Sequence, residues 1–72
     1  GIDGLTAMIL RHGRMQVELK GEYLGIREMR KHVAWYTAGY PESAALHRRV
    51  NEVETMEGLE RLLQGYKIQV DA

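Results

Sequence analysis

The sequence predicts an all-α fold, a small bundle of about four short helices, and three observations carry that prediction. Apolar residues recur at spacings of three and four through most of the chain, which is the period of one helix face. No two alternating, strand-like runs flank a hairpin turn. The chain has 72 residues, 44% of them hydrophobic, which suits one small domain that removes about 60% of its unfolded surface from water.

The first predicted helix carries Leu5, Met8, Ile9, His12, Met15 and Leu19 on one face. Gly13 lies inside that run, and a mid-helix glycine costs about 1 kcal/mol against alanine, so fraying is expected there. Lys20-Gly21 is a plausible stop. The second helix, from Glu22 or Gly25 to about Ala38, has the cleanest pattern, with Ile26, Met29, Val33, Tyr36 and Tyr40 in one stripe. Gly39-Tyr40-Pro41 ends it, because proline lacks an N–H and disfavours helix in the residue before it.

Ser43 can cap a third helix through Asn51 that turns Leu46 and Val50 inward. Thr55 caps a fourth, with Met56, Leu59, Leu62, Leu63 and Tyr66 inward. Glu57 falls in its first turn, where the helix dipole favours an acid. The tail from Tyr66 to Val70 alternates weakly and is expected to be loosely ordered. Met29, Val33, Tyr36, Leu46, Val50, Leu59 and Leu63 form the expected core.

Composition excludes several chemistries. There is no cysteine, hence no disulfide, thiolate metal site, iron–sulfur cluster or cysteine nucleophile. His12, His32 and His47 have no metal-ligand spacing. No Ser–His–acid set, phosphate-cradling glycine loop or inward carboxylate pair is evident, so the 72 residues are expected to be non-catalytic and to hold no cofactor. No apolar run is long enough to span a bilayer, and no basic start precedes an apolar leader. A cytoplasmic location is expected.

Ten basic and ten acidic residues cancel, so no global field draws the chain to nucleic acid or membrane. The cancellation hides a polarity. Arg27, Arg30, Lys31, Arg48 and Arg49 face only Glu28 and Glu42 between positions 27 and 49, while Glu52, Glu54, Glu57 and Glu60 outnumber Arg61 in the next stretch. On the second helix Arg27, Lys31, Ala34 and Ala38 form a stripe, with Arg30 at its edge. It is cationic at one end and flat at the other, so a phosphate backbone can lie close. His32 borders the apolar stripe, and Trp35 either packs on a neighbour or offers a stacking face. A solvated, salt-bridged face explains the same residues, especially if the acids of the fourth helix neutralise His47-Arg48-Arg49.

Certain residues do resemble a family. Gly21-Glu22, Gly25-Ile26-Arg27-Glu28-Met29-Arg30-Lys31-His32, Trp35-Tyr36, Gly39, Ala45-Leu46, Arg48 or Arg49, and Val50-Asn51 resemble the C-terminal helical domain of bacterial tRNA-dihydrouridine synthases, B subgroup. The similarity runs from about Leu5 to Leu63. It implies a domain cut from a larger flavoenzyme, whose (β/α)8 barrel carries FMN and a protonating cysteine and uses NADPH. It also implies that tRNA and the chain's own barrel are its partners, with no membrane or DNA. The tRNA-backbone role passes to Arg30, Lys31 and His32 by motif, and Arg27, Arg48 and Arg49 join them by charge. Two other classes compete: a helical protein-interaction module that docks through its acidic last helix or Trp35, and a helix-turn-helix DNA binder reading with the helix from Ser43. The second is weakened by that helix's shortness and its lack of Asn or Gln for base edges.

Overall fold

A computed structural model describes residues 1–71. They form three helices, α1 (Ile2–Tyr36), α2 (Ser43–Val50) and α3 (Met56–Asp71), rather than about four. The expectation of separate first and second helices is corrected because helical structure resumes at once after Gly21, leaving one residue out of helical geometry, at φ 84° and ψ 162°. A straight helix of 35 residues would run about 52 Å, yet the longest extent of the molecule is 34 Å. α1 therefore doubles back at Gly21 as two antiparallel arms. A left-handed φ of this kind suits glycine, which has no Cβ to clash.

The arms approach closely at Gly25. A Cβ placed there would lie 2.9 Å from backbone atoms of Gln16 and Val17 on the first arm. Gly13, where fraying was expected, lies inside continuous helix. Leu59 of α3 reaches to 3.1 Å of where its Cβ would be, so Gly13 serves helix packing and breaks nothing.

α2 and the turn that follows it are tied to the second arm at two points. Thr37 Oγ1 donates to Val33 O at 2.7 Å and lies 3.1 Å from His47 Nε2. With its one proton committed, the hydroxyl accepts from His47. Three residues past the end of α2, Val53 O accepts from Arg30 Nε (3.1 Å) and Nη2 (2.7 Å). α2 consequently runs antiparallel to residues 30–37. Its N-cap is Glu42 at φ 60°, with no side-chain cap bond, and Ser43 is the first helical residue. The expected Ser43 cap is thus corrected, because the left-handed turn at Glu42 has already redirected the chain.

α3 starts beside the Gly21 corner. Glu22 Oε2 accepts from Met56 N at 2.9 Å, and Thr55 Oγ1 accepts from Gly58 N at 3.0 Å, so two donors that a helix start leaves orphaned are satisfied. Arg14 pairs with Glu60 and Lys67 with Asp3, so α3 descends antiparallel to the first arm. It continues through Tyr66 to Asp71, correcting the expectation of a loose tail. Tyr66 is buried and donates to Pro41 O at 2.8 Å, and burial raises the pKa of its hydroxyl.

Ile9, Ile26, Met29, Val33, Leu46, Val50, Leu59, Leu63 and Tyr66 form the core. Six of the seven expected core residues are in it. Tyr36 is half-buried at its margin.

Candidate nucleic-acid interface

The segment from Gly25 to Tyr36 occupies the second arm of α1, and its Ile26, Met29 and Val33 stripe is fully buried. At 100° per residue that burial turns Lys31 and Trp35, four residues apart, toward solvent together. Lys31 is exposed. Trp35 is 76% exposed.

The six candidate residues divide. Arg27 stacks over Tyr23, its guanidinium carbon 3.7 Å from the ring centroid. It also donates to Tyr23 O at 3.1 Å and to Glu54 Oε2 at 3.2 Å. Arg30 is half-buried and holds Val53 O, as described. These two arginines therefore fasten the loop between α2 and α3. Lys31, Arg48 and Arg49 are exposed and form no ion pair among the described residues. Because α2 is anchored at Thr37 and at Arg30, Arg48 and Arg49 lie beside the stretch that bears Lys31 and Trp35.

Three of the four glutamates that follow α2 are engaged elsewhere, and the fourth, Glu52, is exposed and forms no ion pair among the described residues. Glu54 pairs with Arg27, Glu60 with Arg14, and Glu57 with Arg61 within α3. Lys20 holds Glu28 at 2.8 Å, and that hydrogen bond keeps the Glu28 carboxyl below its usual pKa.

His32, the sixth candidate, sits in an aromatic chain. Its ring centroid is 4.6 Å from that of His12 on the first arm and 6.2 Å from that of Trp35, the latter at 84°. His12 is fixed in turn, with Nδ1 3.1 Å from the Tyr36 hydroxyl and Nε2 3.3 Å from the Gln16 amide nitrogen. A Gln16 N–H donating to Nε2 leaves Nδ1–H to donate to Tyr36. Burial, with the neighbouring charges of His12 and Lys31, lowers the pKa of His32 below 6.5, while Glu28 opposes the shift. Spacing alone does not mark His12 as part of this group, because its i, i+3, i+4 position matches that of a core residue.

The outer face of the first arm differs from expectation too. Met8, Met15 and Leu19 are 38%, 54% and 73% exposed. Of that expected face Leu5 and Ile9 do turn inward, and Gly13 and Val17 complete the inner row. A hollow between α1 and α3, lined by Thr6, Leu10, Glu60, Leu63, Gln64 and Lys67, encloses about 170 Å³, below the 300–1,000 Å³ range of small-molecule sites. Among the described residues no cluster of three or more His, Asp or Glu could hold a metal ion. Among the same residues no helix is long and apolar enough to cross a membrane.

Comparison with known proteins gives concordant similarities. A family model described as dihydrouridine synthase matches residues 4–71. A probable tRNA-dihydrouridine synthase of Mycobacterium tuberculosis is 43% identical over 56 residues, covering 78% of this chain and 14% of the relative. The tRNA-dihydrouridine synthase B of Vibrio cholerae is 37% identical over 65 residues, covering 90% of this chain and 20% of the relative. A probable tRNA-dihydrouridine synthase of Rickettsia bellii is 36% identical over 50 residues, covering 69% and 15%. The chain thus spans about a seventh to a fifth of the curated relatives it matches. No solved structure matches.

Proposed function

The chain belongs to the dihydrouridine synthase family, and on that premise we propose that it is the C-terminal tRNA-recognition domain of such an enzyme. In this role it holds tRNA so that a D-loop uridine reaches a flavin-bearing barrel elsewhere in the full-length protein. The observation that carries the reading is the segregation of charge. Among the described residues Lys31, Arg48 and Arg49 stand without ion-pair partners on neighbouring elements, while Glu57 and Glu60 of α3 are paired with Arg61 and Arg14, and Glu54 just before α3 with Arg27.

The division of labour is physically reasonable. A uracil in folded tRNA must leave its stack before its C5–C6 bond can be reduced, at a cost of a few kcal/mol. A domain that grips phosphates and 2′-hydroxyls fixes the orientation of the tRNA and so selects the uridine presented. The hollow beside α3 is too small for FMN, so these residues do not fit the flavin. In this reading FMN, its reductant NADPH and the reduction itself belong to the barrel. Zero net charge makes the grip local, through short-range contacts instead of long-range attraction.

Arg30 and Arg27 enter the proposal as supports that set the position of α2, and His32 as the prop beneath Trp35. A second reading, a helical protein-interaction module, is favoured by the exposed Met8, Met15 and Leu19 row. The first reading assigns that row to the barrel of the same chain.

Titrating tRNA into isotope-labelled protein and following backbone amide shifts tests the proposal. Shifts are expected at residues 31–35 and 48–49. If three phosphates are neutralised, log affinity falls by roughly 2–3 units per log unit of salt, and K31Q/R48Q/R49Q flattens that slope. Shifts confined to residues 52–61, or a triple variant with unchanged affinity and slope, hand the case to the interaction module.

A further inference from the structure

We propose that Trp35 is a stacking face for one unpaired nucleobase, with Lys31 and the α2 arginines on the phosphates that flank it. This inference rests on the tRNA-binding reading and adds the kind of nucleotide recognised. Four observations support it. Trp35 is 76% exposed, so its indole adds little to the core. Its ring nevertheless has a backing: it meets His32 at 84°, and His32 packs on His12. His12 is bonded to Tyr36 and Gln16.

A perpendicular contact leaves at least one indole face open, and every base offers a π-face to such a platform. Lys31 lies one turn before Trp35 on the same face, and Arg48 and Arg49 lie on the helix strapped alongside. A protein partner fits this setting less well, because interface cores are depleted of lysine, whereas a stacked base with flanking phosphates needs both the ring and the cations. The exposed apolar row of Met8, Met15 and Leu19 belongs to the other arm, across the His12–His32 contact.

Trp35 is the chain's one tryptophan, so its intrinsic fluorescence reports on the site directly. The probes are tRNA, an unstructured oligoribonucleotide and a blunt-ended RNA duplex, each titrated into the 72-residue protein at low salt. Emission is expected to be quenched by tRNA and by the single strand, and to change little with the duplex, whose bases are already stacked. W35L should weaken single-strand binding roughly 5- to 150-fold, while W35F, which keeps a ring, retains most of it. Circular dichroism checks that both variants stay folded.

Unchanged emission while the amides of Lys31, Arg48 and Arg49 shift on saturation with tRNA overturns the stacking role and leaves the phosphate grip standing. Equal losses by W35L on duplex and single strand overturn it also, since they mark an effect on the fold. Neither quenching nor amide shifts with any RNA removes the grip and the stacking role together.

Discussion

Gly25 is the position at which a single methyl group should do the most harm for its size. A Cβ there would stand 2.9 Å from Gln16 C, Gln16 O and Val17 N. All three are backbone atoms of the opposing arm, with no flexible side-chain end to swing away. The arms must separate by about half an ångström or more, and overpacking of this kind costs about 1–3 kcal/mol. Alanine's better helix propensity returns up to about 1 kcal/mol, so G25A should lose about 1–2 kcal/mol net, taking the upper part of the steric range. In a domain this small that lowers the melting midpoint by roughly 4–16 °C.

G65A supplies the reference. Gly65 lies inside α3 with nothing within 4 Å of its ideal Cβ, so the same substitution there should stabilise by about 0.5–1 kcal/mol. The difference between the two variants isolates the steric cost from propensity. Urea unfolding followed by far-UV circular dichroism measures both. G25A as stable as G65A would refute the close approach of the arms and, with it, the doubling back of α1.

Three further outcomes are expected. T55A removes the acceptor for Gly58 N and should cost about 0.5–2 kcal/mol in urea unfolding; no change would mean that Glu22 caps α3 alone. R30M keeps an apolar stem but loses both bonds to Val53 O, so it should lose about 1–2 kcal/mol, while K31M stays within about 0.5 kcal/mol of the parent. Equal effects would place Arg30 on the surface. Because the folded-state pKa of His32 lies below its ordinary 6.5, the unfolded chain binds the extra proton first as the pH falls. Stability should therefore be complete above about pH 6.5 and decline below it toward the lowered pKa. H32Q should flatten that part of the profile, and an unaltered slope would put the titration elsewhere.

The second arm was legible in the sequence because one apolar stripe, Ile26, Met29 and Val33, stands alone against charged neighbours. The first arm was not. Its apolar residues fall in two rows that spacing merges into one face; Leu5 and Ile9 turn inward, while Met8, Met15 and Leu19 are exposed. Gly25 carried no signal either, since a glycine needed for close approach looks the same as one that starts a helix. The basic cluster was visible as charge, yet only the fold separates Arg30, bonded to Val53 O, from its neighbour Lys31, which is exposed. The order of the tail depends on Tyr66 finding Pro41 O, a contact 25 residues away that local pattern cannot encode.

The turn of α1 at a single glycine also bears on how the chain folds. Gln16 and Gly25 are nine positions apart and the two arms meet within 24, as at His12 and Tyr36. The far end of α3 must come home across most of the sequence, as in the Lys67–Asp3 pair. Loop-closure entropy rises with the logarithm of the separation, so the arms can zip from the corner outward at little entropic cost, whereas α3 has a template only once they have done so. Substitutions at the arm contact then slow refolding, and substitutions toward the end of α3 mainly speed unfolding. The corner at Gly21 gives the polypeptide its order of assembly as well as its shape.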